Sequence, residues 1–125
     1  MLLLRHVHRV DMSNIHGLCA ENVVKDYLVN QGLIWVISNY NVRVGEIDLI
    51  MRDGETLVFV EVRSRRSNKF GDAIESITHQ KRQKLLRTAA CYVQNKHYLG
   101  PMRFDVVGIT AGQLEWIKNA FGVNV

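Results

Sequence analysis

The chain has 125 residues, 47% hydrophobic and 22% charged, with a formal net charge of +4. That length suits one compact domain whose core needs no disulfide. It holds no apolar run near the roughly 18 residues of a membrane span, and the three leucines after Met1 fall short of the roughly 7–15 apolar residues of a secretory signal. Cys19 and Cys91 sit far apart in apolar, helix-like surroundings, which excludes a zinc or disulfide framework and fits a reducing cytoplasm.

Residues 1–12 are expected to form an N-terminal arm, or to precede an alternative start at Met12, with a single domain over 13–125. Ser13 or Asn14 can cap a helix that runs to about Asn30 and ends before Gly32. Ile15, Leu18, Val23, Val24, Tyr27 and Leu28 recur along it at helical spacing. Residues 33–37 are rich in β-formers and predict a strand. Residues 46–51 and 57–63 predict two more, joined at Asp53-Gly54, a strong hairpin signal. A basic loop over 64–71 leads to a long amphipathic helix from Asp72 to about Lys96. A turn at Gly100-Pro101, a strand over 102–109, a short strand over 114–117 and a helical turn over 118–121 complete the chain. Trp35 and Trp116 are expected in the core, and Arg103 and Asp105 as a structural pair. The order α-β-β-β-α-β-(β) predicts an α/β domain, a mixed sheet flanked by helices.

The hairpin carries the chemistry. A two-residue turn at Asp53-Gly54 sets Arg52 opposite Glu55, hence Glu46 opposite Glu61 and Asp48 opposite Phe59. Opposed residues share a face, as do residues two apart on one strand. Glu46, Asp48, Glu61 and Arg63 then project from one side, with Asp48 and Glu61 as diagonal neighbours. A three-residue turn would separate them. Facing carboxylates need a counter-charge. Mg²⁺ or Mn²⁺ held by Asp48 and Glu61 would supply it, since both ions prefer oxygen ligands. The same spacing also fits a solvated strand face paired with Arg43 and Arg63.

Two helical residues interrupt apolar lines. Glu21 falls with Gly17, Val24 and Leu28, and Lys81 with Ile74, Ile77 and Leu85. Each needs a polar partner or a route to water. From Glu61 to Arg87 there are eight basic residues (Arg63, Arg65, Arg66, Lys69, Lys81, Arg82, Lys84 and Arg87) and three acids, a local charge of +5 that leaves −1 for the rest. Such a patch attracts a phosphate backbone without reading its sequence, and it also fits an ordinary solvated helix face. Arg65, Arg66, Lys69, Lys81, Arg82 and Lys84 are the candidate nucleic-acid contacts.

Taken together, Gly45-Glu46-Ile47-Asp48-Leu49-Ile50, Val58-Phe59-Val60-Glu61-Val62-Arg63-Ser64-Arg65, Phe70-Gly71, Lys81 with Leu85-Leu86, and Arg103-Phe104-Asp105-Val106-Val107 resemble the YraN family. The tail from Glu115 to Phe121 fits its proteobacterial branch, and the resemblance spans about Gly17 to Phe121. It implies a restriction-endonuclease-like fold, similar to archaeal Holliday junction resolvases and to the wider PD-(D/E)xK nucleases. It also implies catalytic roles for Glu21, Asp48, Glu61 and Arg63, the last standing where many members carry lysine. Arginine stays charged near neutral pH and cannot serve as a base. Lys81 is the candidate for the missing amine. The function expected is a metal-dependent endonuclease acting on DNA, branched or structured forms included. The alternative is a nucleic-acid-binding module that keeps the fold without the chemistry. Nucleic acid is the expected partner and a membrane is not; a homodimer is left open.

Overall fold

The computed structural model describes residues 4–9, 19–65, 72–110 and 112–122. Six strands form one sheet in the order β1-β6-β5-β4-β3-β2. They are β1 (Leu4–Arg9), β2 (Ile34–Val42), β3 (Gly45–Asp53), β4 (Thr56–Arg65), β5 (Met102–Thr110) and β6 (Gln113–Phe121), and the helices are α1 (Ala20–Asn30), α2 (Asp72–Glu75) and α3 (His79–Asn95). From α1 onward this is the α-β-β-β-α-β-β order read from the sequence, with the one-turn α2 ahead of α3. Residues 4–9 of the expected arm add a strand on the sheet edge, antiparallel to β6. Ser13 and Asn14, the proposed helix caps, lie outside the described residues.

The sheet is mixed. β4 and β5 run parallel, with α2 and α3 in the connection between them, and the other pairs are antiparallel. One face buries Val24 and Leu28 of α1 against Leu49, Met51, Val58, Val60 and Trp116. The other buries Ile77, Leu85, Ala89 and Tyr92 against Ile50, Phe59, Phe104 and Phe121.

Several boundaries differ from the sequence expectation, each for a physical reason. The long helix breaks before His79, because Thr78 caps a fresh start: its hydroxyl accepts from Lys81 N at 3.1 Å. Arg82 reinforces the break by donating to the Ile77 and Ile74 carbonyls at 3.1 and 3.2 Å. The helical turn expected over 118–121 is strand instead. Tertiary stacking decides there: the Phe121 ring lies 5.1 Å from Phe104, and Asn119 takes a left-handed φ of 53°. Trp116 is core, but Trp35 is 46% exposed because β2 is an edge strand, and only Lys25 Nζ, 4.8 Å from the ring centroid, is stacked on it among the described residues.

Candidate metal and nucleic-acid site

The β3–β4 hairpin turns at Gly54-Glu55, one residue later than expected, with Asp53 opposite Thr56. Gly54 takes φ +61°, which a type II′ turn requires at its first central position. The register therefore shifts by two. Because two is even, that shift alone would keep the faces: the next step past Leu49↔Val60 would set Asp48 level with Glu61 rather than diagonal to it.

That step is never paired. β3 leaves β4 after Leu49↔Val60; its first residues pair with β2 alone, while the end of β4 pairs with β5 as far as Arg65↔Thr110. The strands open into a notch. Asp48 holds the opening, since its Oδ2 accepts from Val62 N at 2.8 Å in place of a ladder carbonyl. Strand alternation also breaks at Asp48: Leu49 and Met51 join the α1-side core, whereas Ile47 joins the α3-side core. The acids consequently do not share one face as expected. Glu21 reaches the notch from α1, and Glu61 meets it on the side of α3.

One carboxylate oxygen from each of Glu21, Glu46 and Asp48 lies within 4.8 Å of the others. Oxygens around Mg²⁺ are separated by about 3–4 Å, so this all-oxygen donor set fits a hard divalent cation. Glu61, 6% exposed, adjoins the triad and is held by Arg63 Nη2 at 3.4 Å and Lys81 Nζ at 3.8 Å. Burial and the Asp48 charge push its carboxyl up to about 7, against the lowering effect of Lys81 and Arg63. Glu21 is raised by burial and then by Asp48 and Glu46; the Asn39 side chain works in the opposite direction. The cluster thus carries more negative charge than its cations balance.

Glu21, Asp48, Glu61, Arg63 and Lys81 lie close together in the structure. Glu46, set on the hairpin but left out of the expected site, joins them. Asn39 was missed, because only its φ of +54° and the fold reveal it. Gly45 positions Glu46: a Cβ there would lie 2.8 Å from Thr88 Oγ1, so only glycine lets β3 approach α3 this closely.

The basic residues divide. Lys81, Lys84, Arg87 and His79 line a groove of ≈ 560 Å³ along α3, and Lys81 joins that groove to the notch. Arg82 is instead committed to the Ile74 and Ile77 carbonyls and to the Phe121 ring, 5.6 Å away. Arg66, Lys69 and the Arg65 side chain lie outside the described residues.

An acidic notch between diverging strands of a mixed sheet, on a fold consistent with the restriction-endonuclease-like class, defines an α/β domain built around a carboxylate cluster. The family model for "Uncharacterised protein family UPF0102" matches residues 20–109. The chain is 49% identical over 113 residues to a UPF0102 protein of Saccharophagus degradans, covering 89% of this chain and 96% of that one. It is 47% identical over 111 residues to one of Yersinia enterocolitica (86% and 95% covered) and 44% identical over 117 residues to one of Legionella pneumophila (88% and 97%). The chain belongs to the UPF0102 (YraN) family. Among the described residues no helix is long and apolar enough to cross a membrane.

Proposed function

We propose that this protein is a Mg²⁺- or Mn²⁺-dependent endonuclease that hydrolyses phosphodiester bonds in DNA. The observation that carries the reading is the convergence of Glu21, Glu46, Asp48 and Glu61 on one notch, bordered by Arg63 and Lys81. Asp48, Glu21 and Glu46 would hold the ion, with Glu61 beside them. Such an ion polarises a phosphate and makes water a stronger nucleophile. Arg63 binds a phosphate oxygen and stabilises developing charge, since a guanidinium does not give up its proton. Lys81 is 40% exposed in its side chain and stands where the groove meets the notch, so its amine can touch both phosphate and water. Lys84 and Arg87 continue the cationic track along α3 for the flanking backbone.

The test presents labelled duplex, single-stranded and four-way-junction DNA with Mg²⁺ or Mn²⁺. Metal-dependent cleavage that Asp48→Ala abolishes is the expected result; unchanged cleavage by that variant overturns the assignment. Lys81→Met is expected to lower the cleavage rate by about 10²-fold or more, and an unchanged rate removes the amine from the chemistry. A second reading is favoured by Arg63 itself, which occupies the usual lysine position: a nucleic-acid-binding module without catalysis. Salt-sensitive binding with no cleavage under either metal would select it.

A further inference from the structure

A second cavity, of ≈ 520 Å³, opens at the opposite end of α3 from the basic groove, beside the hairpin turn. The volume falls within the range of about 300–1,000 Å³ that small-molecule sites occupy. Its walls are Val36, Leu57, Tyr92, Tyr98 and Pro101. The wall is built rather than incidental. The Tyr98 hydroxyl donates to the Glu55 carbonyl at 2.9 Å and also contacts the Pro101 carbonyl. Gly100 permits that closure, because a Cβ there would come within 2.8 Å of the Tyr98 ring.

Two cations stand at the mouth. Arg52 is exposed, and among the described residues no carboxylate pairs with it; Lys96 has only the face of the Tyr92 ring, 5.9 Å from Nζ. Glu55 is the single acid of the lining. An apolar chamber under a guanidinium and an ammonium complements a ligand with an apolar body and one anionic head. Arginine grips phosphate or carboxylate through paired N–H donors, while the chamber takes the ring. We propose that this cavity is a binding site for a small aromatic anion, an aryl phosphate or aryl carboxylate. It is separate from the acidic notch: Asp48 and Arg52 are four residues apart on β3, about 13 Å along a strand.

The full chain would be titrated with 1-naphthyl phosphate, 1-naphthoate, neutral 1-naphthol and cationic 1-naphthylmethylamine, followed by amide chemical shifts. The expected result is saturable one-to-one binding of one or both anions, with shifts centred on Val36, Lys96 and Tyr98. The phosphate arm against the carboxylate arm identifies the preferred head group. The neutral and cationic compounds should bind at least about tenfold more weakly, a difference of ~1.4 kcal/mol. Arg52→Glu combined with Lys96→Glu should abolish anion binding while leaving the thermal midpoint unchanged, since both side chains are exposed. Equal binding of naphthol, anion binding that survives the double charge reversal, shifts centred on Lys84 and Arg87, or no saturation by about 1 mM would each overturn the proposal.

Discussion

Two buried carboxylates sit on neighbouring strands and live in opposite circumstances. Asp105 on β5, whose side chain is fully buried, is saturated. Arg103 Nε donates to Oδ1 at 3.0 Å, Arg103 Nη2 and Trp116 Nε1 donate to Oδ2 at 3.2 and 2.9 Å, and Asn119 N donates to Oδ1 at 2.9 Å. Arg103 is itself anchored by Asp53 at 3.0 Å. Glu61 on β4 has two looser cations, at 3.4 and 3.8 Å, and faces the charge of Asp48. A fold that can satisfy a buried acid this fully on one strand leaves the acids next to it under-compensated. That contrast separates a carboxylate that ties strands together from a cluster suited to an added cation.

The largest effect expected from breaking this comparison is at Asp105. Asp105→Ala strips Arg103, Trp116 and Asn119 of a shared acceptor and should cost ~3–5 kcal/mol in denaturant unfolding. Glu61→Gln should not destabilise at neutral pH and above. A loss at Glu61 as large as that at Asp105 would erase the distinction.

The pH dependence sharpens it. Folding raises the Glu61 carboxyl from 4.5 to about 7, so the folded chain holds that proton more tightly than the unfolded one. The resulting stability is fully present below about pH 4.5 and is lost as pH rises through about 7. From Glu61 alone this amounts to about 3 kcal/mol. Glu61→Gln should flatten that arm of the stability curve. Millimolar Mg²⁺ at pH 8 should raise the thermal midpoint of the wild-type chain, because a cation replaces the missing proton, and Asp48→Ala should abolish the rise.

Much of this site was legible in the sequence, for a specific reason. Side-chain faces on a strand repeat every two residues, so an error of two in register did not by itself part Asp48 from Glu61, and they meet at the notch although alternation breaks at Asp48. Helical spacing likewise exposed Glu21 and Lys81, because each stands in a line of apolar neighbours. What escaped depends on contacts distant in the chain. The break at Asp48 exists because its carboxylate takes a backbone N–H from Val62. The strand over 118–121 exists because Phe121 stacks on Phe104. Trp35 is exposed because strand order, which local pattern does not encode, puts β2 on the edge.

The notch also rests on close packing where Asp105 rests on hydrogen bonds. Thr88 Oγ1 is buried and fixed by its bond to the Lys84 carbonyl at 2.8 Å, so it cannot yield freely to a new Cβ at Gly45. Gly45→Ala should cost ~1–3 kcal/mol and weaken Mn²⁺ binding by displacing Glu46. Adding Thr88→Ala should return part of the stability, a non-additivity expected of residues in contact. Strict additivity in the double variant would show that the two do not meet.

The smallest effect discriminates most finely. Each acidic region has an asparagine in the left-handed conformation beside it: Asn39 at φ 54° near Glu21, and Asn119 at φ 53° near Asp105. Glycine adopts that conformation without strain but adds freedom to the unfolded chain, so the two effects oppose each other and either substitution should change stability by less than about 1 kcal/mol. The consequences then diverge. Asn119 serves Asp105 through its backbone N–H, which glycine retains. Asn39 serves Glu21 through its side chain, which glycine lacks. Asn119→Gly should leave Mn²⁺ affinity unchanged, whereas Asn39→Gly should lower it in a protein of nearly unchanged stability. Equal affinities in the two variants would show that Asn39, like Asn119, acts through its backbone alone.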